Sequence, residues 1–448
     1  LLSEIAADVG GPAGGSDVEV SSAVVDSREA VPGALFVAIR GERTDGHRYM
    51  EDAFAAGCSA ALVERAPGEH PHVLVDDTQE AFLSLAGAER RAMNASVLAI
   101  TGANGKTSTK DLAAGVLGTR LRVHASPASY NNEVGVPLTI LGAAAATEAL
   151  VCELGARHLD EHTRLCSVVD PDVVVVTNAG VAHMQEFGSW ENIVAATAEP
   201  VDALSAGAIA ILNADDPTVS ALASRTRAEV LTFGLARSAD VCASDIQLDV
   251  DGRARFTLSS SGDRERVELA VPGEHMVSNA LAAAACGLAL GLSVAECATG
   301  LKDAGVSRWR MEPSITPSGV RVLNDAYNAN PDSVGAGLKA ARWIARDARL
   351  VAVLGHMAEL GPISAEEHEA VGRLVTRLGI ERLVTVGEEA EAIARSAVRE
   401  GMEPDAVETV SSAEAAAESV RSWARAGDVV FLKGSRVAGL ERVAELLA

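Results

Sequence analysis

Short unbroken apolar runs alternate with stretches of helical spacing along most of this chain. In its first part, residues 34–39 (ALFVAI), 60–63 and 73–75 read as strands, and residues 49–56 and 78–93 as helices. The pattern restarts at Ser96, with strands predicted at 97–100, 149–153, 172–177 and 208–212 and helical segments between most of them. These strands are continuous Val, Ile and Leu without polar alternation, so both of their faces must be covered, as in a parallel sheet packed between helices. Residues 241–269 differ: apolar and polar positions alternate between Gly and Asp turns, which predicts a small antiparallel sheet, followed by an Ala-rich helix at 274–290. A second α/β unit opens near Met311, with strands at 320–324, 350–354, 382–386 and 429–432 and helices at 333–345, 365–378, 388–399 and 413–424. Short repeats and low-complexity tails are absent.

Length agrees with this division, since 448 residues at roughly 150 per domain make about three domains. Aromatics are only 3%, so the core must be built from Ala, Val, Leu and Ile. The 62 acidic against 38 basic side chains give a formal charge of −24, which excludes the basic footprint of a nucleic-acid binder and disfavours anionic lipid. A few local Lys and Arg can still hold an anionic small molecule. Six cysteines are scattered without metal spacing, as expected of buried thiols in a reducing compartment. The richest apolar run, 280–290, is too short to span a membrane, and the N-terminal stretch shows no basic-then-apolar leader. A cytoplasmic chain without membrane insertion is therefore expected.

The sharpest chemical signal is Thr101-Gly102-Ala103-Asn104-Gly105-Lys106-Thr107-Ser108, between a buried strand and a helix. Glycines allow a tight turn whose N–H groups face an anion, and the helix start adds partial positive charge. Lys106 can reach terminal phosphates, and Thr107 can ligate Mg²⁺. The position six before the Lys is Ile100 rather than Gly, so the match is to a shortened phosphate loop. Glu153 ends one neighbouring strand and His183 lies beyond another. Ligands of open parallel sheets gather at carboxyl ends of strands, so Thr107, Glu153 and His183 are predicted to converge on one metal. Three further strand-end segments are polar: Asn131-Asn132, Asp325-Ala326-Tyr327-Asn328 and Lys433-Gly434-Ser435-Arg436. For each, a helix-capping turn competes with a ligand-binding role.

Together these segments resemble the Mur ligases of peptidoglycan synthesis, over essentially the whole chain. The resemblance rests on DSR at 26–28, PGALFVA and DGH at 45–47, then on TGANGKTST, NNEVGVP, ELGA, NAGVAH, FGS, LNADDP and GEHMVSNA, and finally on DAYNANPDS, LGHMAELG and LKGSR. It implies three α/β domains: a UDP-sugar-binding domain (1–92), a central P-loop ATPase domain with a parallel sheet (93–311), and a Rossmann-like C-terminal ligase domain (312–448). It also implies an ATP- and Mg²⁺-dependent amide ligase, expected to be a monomer, that phosphorylates the terminal carboxylate of UDP-N-acetylmuramoyl-tripeptide and couples it to D-alanyl-D-alanine. Lys106, Glu153 and His183 would be catalytic. Residues 102–108, Asn279, Arg308 and Asp325 would hold the nucleotide. Ser27, Arg28, Asp45, His47, Asn131, Asn132, Tyr327, Asn328, Lys433, Ser435 and Arg436 would contact the substrates. A folylpolyglutamate synthase would lack the N-terminal domain, and the relative adding the third residue would carry a DNPR-type motif that is missing here.

The chain also departs from the family pattern. Thr197 stands where relatives carry a Lys that becomes a carbamate and helps hold a second metal; Asp160-Glu161-His162 replaces Gly-Glu-Ile; and Gly355-His356-Met357 replaces an LGDM-type turn. A hydroxyl cannot supply the carbamate's charge, so a well-occupied first metal site and a weaker second one are expected. The same substitution keeps open a catalytically weakened or non-catalytic relative that binds UDP-sugar peptide or ATP.

Overall fold

The computed structural model describes residues 1–41, 44–236 and 238–448. Its strands form three sheets of five, nine and six strands. In the first, Ser22–Val24, Ala34–Val37, Ala60–Val63 and His72–Leu74 run parallel, and Ala13–Gly14 closes the edge antiparallel. Ala34–Val37 and Ala60–Val63 are buried at every position, as their unbroken apolar runs require.

The central sheet has the order 263–272, 253–260, 241–248, 229–234, 209–213, 173–176, 96–101, 149–153, 123–125. Strand Ser96–Thr101 sits between Ala149–Glu153 and Val173–Val176, all parallel. After Ser96–Thr101 the chain works to one side of it and then crosses to the other, which opens a crevice at its carboxyl end. One face is covered by helices Lys106–Leu117, Met276–Ala289 and Val294–Asp303. The other is covered by Thr78–Ala92, Gly135–Leu141, Glu161–Val169 and Trp190–Asp202.

The alternating stretch does make three antiparallel strands, Val241–Leu248, Arg253–Ser260 and Asp263–Pro272. It is not a sheet of its own, however. Phe233 and Gly234 of strand Glu229–Gly234 pair in parallel with Val241 and Cys242, so the hairpins extend the main sheet. Strand Glu229–Gly234, only half-buried over its first half, lacks the continuous apolar run that marks its neighbours.

The third sheet has the order 312–315, 321–324, 429–433, 350–355, 382–386, 407–410, parallel except for its first strand. Helix Pro331–Ala345 starts with Asn330 as its cap and Pro331 in its first turn.

Helix Thr78–Ala92 belongs to two cores. Ala81, Phe82 and Leu85 pack into the N-terminal one, while Leu83 and Ala86 pack under the central sheet. Buried Arg90 donates to the carbonyls of Val169 and Asp170 at 2.8 Å. The six cysteines are free, and all but Cys242 are buried. Burial pushes Cys152, Cys166, Cys286 and Cys297 up to about 12, so they are inert apolar fillers. Among the described residues, no helix is long and apolar enough to cross a membrane.

Candidate active site

The glycine loop leaves the carboxyl end of Ser96–Thr101 and enters helix Lys106–Leu117. Gly102 has φ +131°, and a Cβ there would lie 2.1 Å from the Thr177 hydroxyl; Gly105, at φ +80°, would meet Asn279 Oδ1 at 2.3 Å. Both positions therefore require glycine. The end of the next strand braces the loop. Ala103 N–H donates to the Asn178 carbonyl (3.0 Å) and Asn104 N–H to Asn178 Oδ1 (2.8 Å), while Thr177 Oγ1 donates to the Asn104 carbonyl (2.7 Å). The amides of Ala103 and Asn104 thus serve the loop itself. The helix has no side-chain cap at Gly105, so its first turn, which includes the buried Ser108, presents N–H groups that suit an anion. Lys106 Nζ donates to the carbonyls of Gly102 and Ala103. Burial lowers its pKa, Glu153 opposes that shift and Arg310 adds to it.

Glu153 is buried at the end of its strand. Its Oε1 accepts from Asn131 Nδ2 at 2.8 Å, and its Oε2 is buried without any partner. An orphaned buried carboxylate oxygen is costly and marks a place for a cation or donor. Thr107 Oγ1 lies 3.0 Å from Ser129 Oγ and accepts from Arg310 Nη2 at 2.9 Å. Two adjacent residues of the helix set both neighbours. Buried Lys110 donates to the carbonyls of Ser126 and Ala128 (2.6 and 2.7 Å), fixing the segment before Ser129. Asp111 accepts from Ser307 N–H and Oγ–H, both at 2.7 Å, fixing the linker that carries Arg310.

Two arginines of this linker lie in different surroundings. Arg308 lies over the Trp309 ring at 5.6 Å, whereas Arg310 reaches the phosphate loop and stacks 4.2 Å from the Tyr327 ring centre. Trp309 and Met311, on either side of it, have left-handed backbones (φ +61° and +52°). That turn aims Arg310 inward, and no spacing rule reveals it.

His183 also has a left-handed backbone (φ +58°) and starts the short helix Met184–Phe187. Its Nδ1 lies 2.5 Å from Glu359 Oε2 of the third domain. Ligand atoms of His183, Glu186 and Glu359 lie within 4.8 Å of one another. A narrow cleft joins Lys106, His162, His183 and Thr197. The Thr197 hydroxyl is engaged within its own helix, donating to the Ile193 carbonyl at 2.7 Å. His162 is a buried brace, bonded through both ring nitrogens to Thr101 Oγ1 and the Ala196 carbonyl (2.9 Å each).

The third domain forms the facing wall. Lys433 is 4% exposed and its Nζ contacts Asp325 Oδ2 (2.5 Å) and the carbonyl of Asn328 (3.0 Å). Burial lowers its pKa, and Asp325 opposes the shift. Asp325 Oδ1 accepts from Met311 N–H at 3.2 Å. Ser435 Oγ accepts from Ala358 N–H (2.8 Å), and Arg436 lies over Trp309 at 4.5 Å. Asn330 Nδ2 donates across the cleft to Asn104 Oδ1 at 2.7 Å.

Several sequence candidates act as braces in this conformation. Asn132 Oδ1 accepts from Gly135 N–H (2.9 Å) at the start of its helix, the capping alternative. His47 is buried with both ring nitrogens engaged, Nδ1 with Asp45 Oδ1 (2.7 Å) and Nε2 accepting from Glu64 N–H (2.9 Å). Ser27 and Arg28 stay at the surface of the N-terminal domain. Asp26 grips the exposed Arg28 guanidinium and caps the turn, which holds the Asp26 carboxyl at about 2. Arg310, Asn178, Asn330 and Glu359 were not singled out from sequence.

Three family descriptions match the chain: "Mur ligase family, catalytic domain" at 19–90, "Mur ligase middle domain" at 100–287 and "Mur ligase, glutamate ligase domain" at 309–436. A UDP-N-acetylmuramoyl-tripeptide--D-alanyl-D-alanine ligase of Mycobacterium tuberculosis is 40% identical, over 94% of this chain and 91% of the relative. A crystal structure of MurF from Acinetobacter baumannii superposes with a TM-score of 0.88 at 29% identity, covering 100% of this chain and 98% of that one. The MurF ligase of Thermotoga maritima in complex with ADP gives 0.83 at 27% identity, covering 96% and 98%.

Proposed function

Because the chain belongs to the Mur ligase family, we propose that it joins D-alanyl-D-alanine to the terminal carboxylate of UDP-N-acetylmuramoyl-tripeptide, converting ATP to ADP and phosphate. The observation that carries this reading is the crevice at Ser96–Thr101. An uncapped helix start and Lys106 stand beside a buried carboxylate with an unpartnered oxygen, and Arg310 closes the same space.

The chemistry requires ATP and a carboxylate, both anionic, to be brought into contact. The first turn of helix Lys106–Leu117 and the Lys106 ammonium bind the terminal phosphates. Arg310 stands where charge develops as the phosphoryl group moves to the peptide carboxylate. The amine of D-alanyl-D-alanine then attacks the acyl phosphate, and phosphate leaves. Arg310 rather than Arg308 takes the phosphate role. Tyr327 supports it by stacking, and Lys433 with Asp325 holds the third-domain wall rigid. Asn279, against Gly105, lies beside the nucleotide, and Arg28 in the N-terminal turn faces the UDP-sugar end.

Thr107, Glu153 and His183 offer a hydroxyl, a carboxylate and an imidazole, and the orphaned Glu153 oxygen fits a hard cation such as Mg²⁺. When bound, Mg²⁺ neutralises phosphate charge. Incubation with UDP-N-acetylmuramoyl-tripeptide, D-alanyl-D-alanine and Mg-ATP tests the reading. The pentapeptide product is expected by mass spectrometry together with ADP, and nucleotide binding without that product would leave only a non-catalytic relative.

A further inference from the structure

The linker from the central to the third domain is strung between two cores. Val306 packs against the core of the central domain, and Met311 is buried in that of the third. Carboxylates fix it on both sides. Asp111 Oδ2 accepts from both Ser307 N–H and Ser307 Oγ–H at 2.7 Å, while Asp111 Oδ1 lies 2.9 Å from Lys110 Nζ. On the third-domain side, Glu312 Oε2 accepts from Trp309 N–H (2.9 Å) and Asp325 Oδ1 from Met311 N–H (3.2 Å). Arg310 sits between these anchors and contributes little to its own placement. Its Nη2 donates to Thr107 Oγ1, and its Nε is buried without a partner. Burial lowers the pKa of Lys106 and Lys433, and the charge of Arg310 lowers both further. Like charges thus push Arg310 away from the place it occupies, and the orphaned buried donor adds to the cost. Something else must hold it there.

We propose that Asp111 is a positioning residue of the reaction: by holding Ser307, it seats the Arg310 guanidinium at the phosphate loop. This rests on the reading of Arg310 as the group that meets the transferring phosphoryl. Asp111 follows Thr107 by four positions in helix Lys106–Leu117, so it lies on the same face, about 6 Å further along the axis. Ser307 precedes Arg310 by three positions. With Ser307 on Asp111 and Arg310 on Thr107, the linker runs back along the helix. One rigid element therefore carries both the phosphate-binding turn and the anchor of the arginine, and it sets the spacing between them. The two oxygens of Asp111 have separate tasks, one towards the Lys110 ammonium and one towards the Ser307 donors. All of these partners donate, so only a side chain with two accepting oxygens serves them together. Asparagine has one, and its amide N–H₂ would face a donor whichever way it turned.

The test measures ligation kinetics and, by titration calorimetry, the binding of ADP and of a non-hydrolysable ATP analogue, all in the full chain. Asp111→Asn should lower kcat about 10-fold, since a misplacement of about 1 Å can cost up to about 100-fold. It should raise KM for ATP less. Affinity for the analogue should fall a few-fold, and affinity for ADP should stay near wild type. Ser307→Ala removes one of the two donations and leaves Lys110 its counter-ion. It should show the same pattern at smaller size, and it decides the matter if Asp111→Asn melts early. In an Arg310→Ala background, Asp111→Asn should lower kcat and analogue affinity no further. Wild-type kcat in Asp111→Asn overturns the inference. So does an equal loss of ADP affinity, which would make Asp111 a plain brace of the loop. If wild type forms the pentapeptide and the losses from Asp111→Asn and Arg310→Ala add, this inference fails and the ligase reading stands. If wild type forms no pentapeptide but the loss of analogue affinity still vanishes in Arg310→Ala, the ligase reading fails while Asp111 still positions Arg310. If wild type forms none and Asp111→Asn binds the analogue normally, both fail.

Discussion

Lys106 opens the helix after the phosphate loop and Lys433 ends strand 429–433; both lie near Arg310, and burial lowers the pKa of both. Lys433 already has its counter-ion: Asp325 contacts it at 2.5 Å and the Asn328 carbonyl at 3.0 Å. Lys106 rests only on loop carbonyls, and its nearest carboxylate, Glu153, acts without a direct contact. A buried cation with a counter-ion is architecture. A half-buried cation without one is a standing demand for an anion, the role proposed here for the terminal phosphates of ATP.

The difference can be broken from either side. Lys433→Met leaves the half-buried Asp325 without its counter-ion, a loss of up to about 3 kcal/mol. The third domain should melt earlier by calorimetry, and an unchanged melt would show the pair to be dispensable. Lys106→Ala should do the opposite, lowering turnover by about 10²- to 10³-fold through loss of charge stabilisation while leaving the melt intact. Near-normal ligation would reduce the loop to a structural turn. The linker sharpens the point: Arg310→Ala should lower turnover by roughly 10- to 100-fold, the worth of hydrogen bonds to a charged group. Arg308→Ala should change turnover little, and the reverse order would restore the sequence assignment. The smallest effect belongs to Thr197→Lys. It should raise turnover a few-fold, lower the Mg²⁺ demand and create a bicarbonate dependence. No change in any of these would mean that the missing charge is supplied elsewhere.

What sequence could reveal follows the reach of the interactions involved. Strands 149–153 and 382–386 were predicted with the bounds they have, because an unbroken apolar run is a local property. The glycine loop was legible for the same reason. The choice between Arg308 and Arg310 was not, because it depends on backbone angles at Trp309 and Met311 and on an anchor at Asp111, remote in sequence. Asn132 and His47 show the converse ambiguity. Their residue types suit ligands and braces equally, and only the partners, Gly135 N–H and Glu64 N–H, separate the two. Glu359 lay inside a segment noted for its resemblance, yet its contact is with a histidine in another domain.

Helix Thr78–Ala92 has a further consequence. It supplies Phe82 to one core and Leu83 to the other, and Arg90 bonds its end to the central domain, so the N-terminal sheet is packed through this helix onto the domain that carries the phosphate loop. If the Arg28 turn and Lys106 hold the two ends of the substrate as proposed, this helix sets the span between them. With the sugar held at one end, the peptide is measured against it, each extended residue spanning at most about 3.3–3.6 Å. A stem one residue short would leave its carboxylate farther from the phosphate by about that span than the roughly 3–3.5 Å of a reacting pair. On this account, discrimination by stem length is built into one shared helix rather than into any contact with the missing residue.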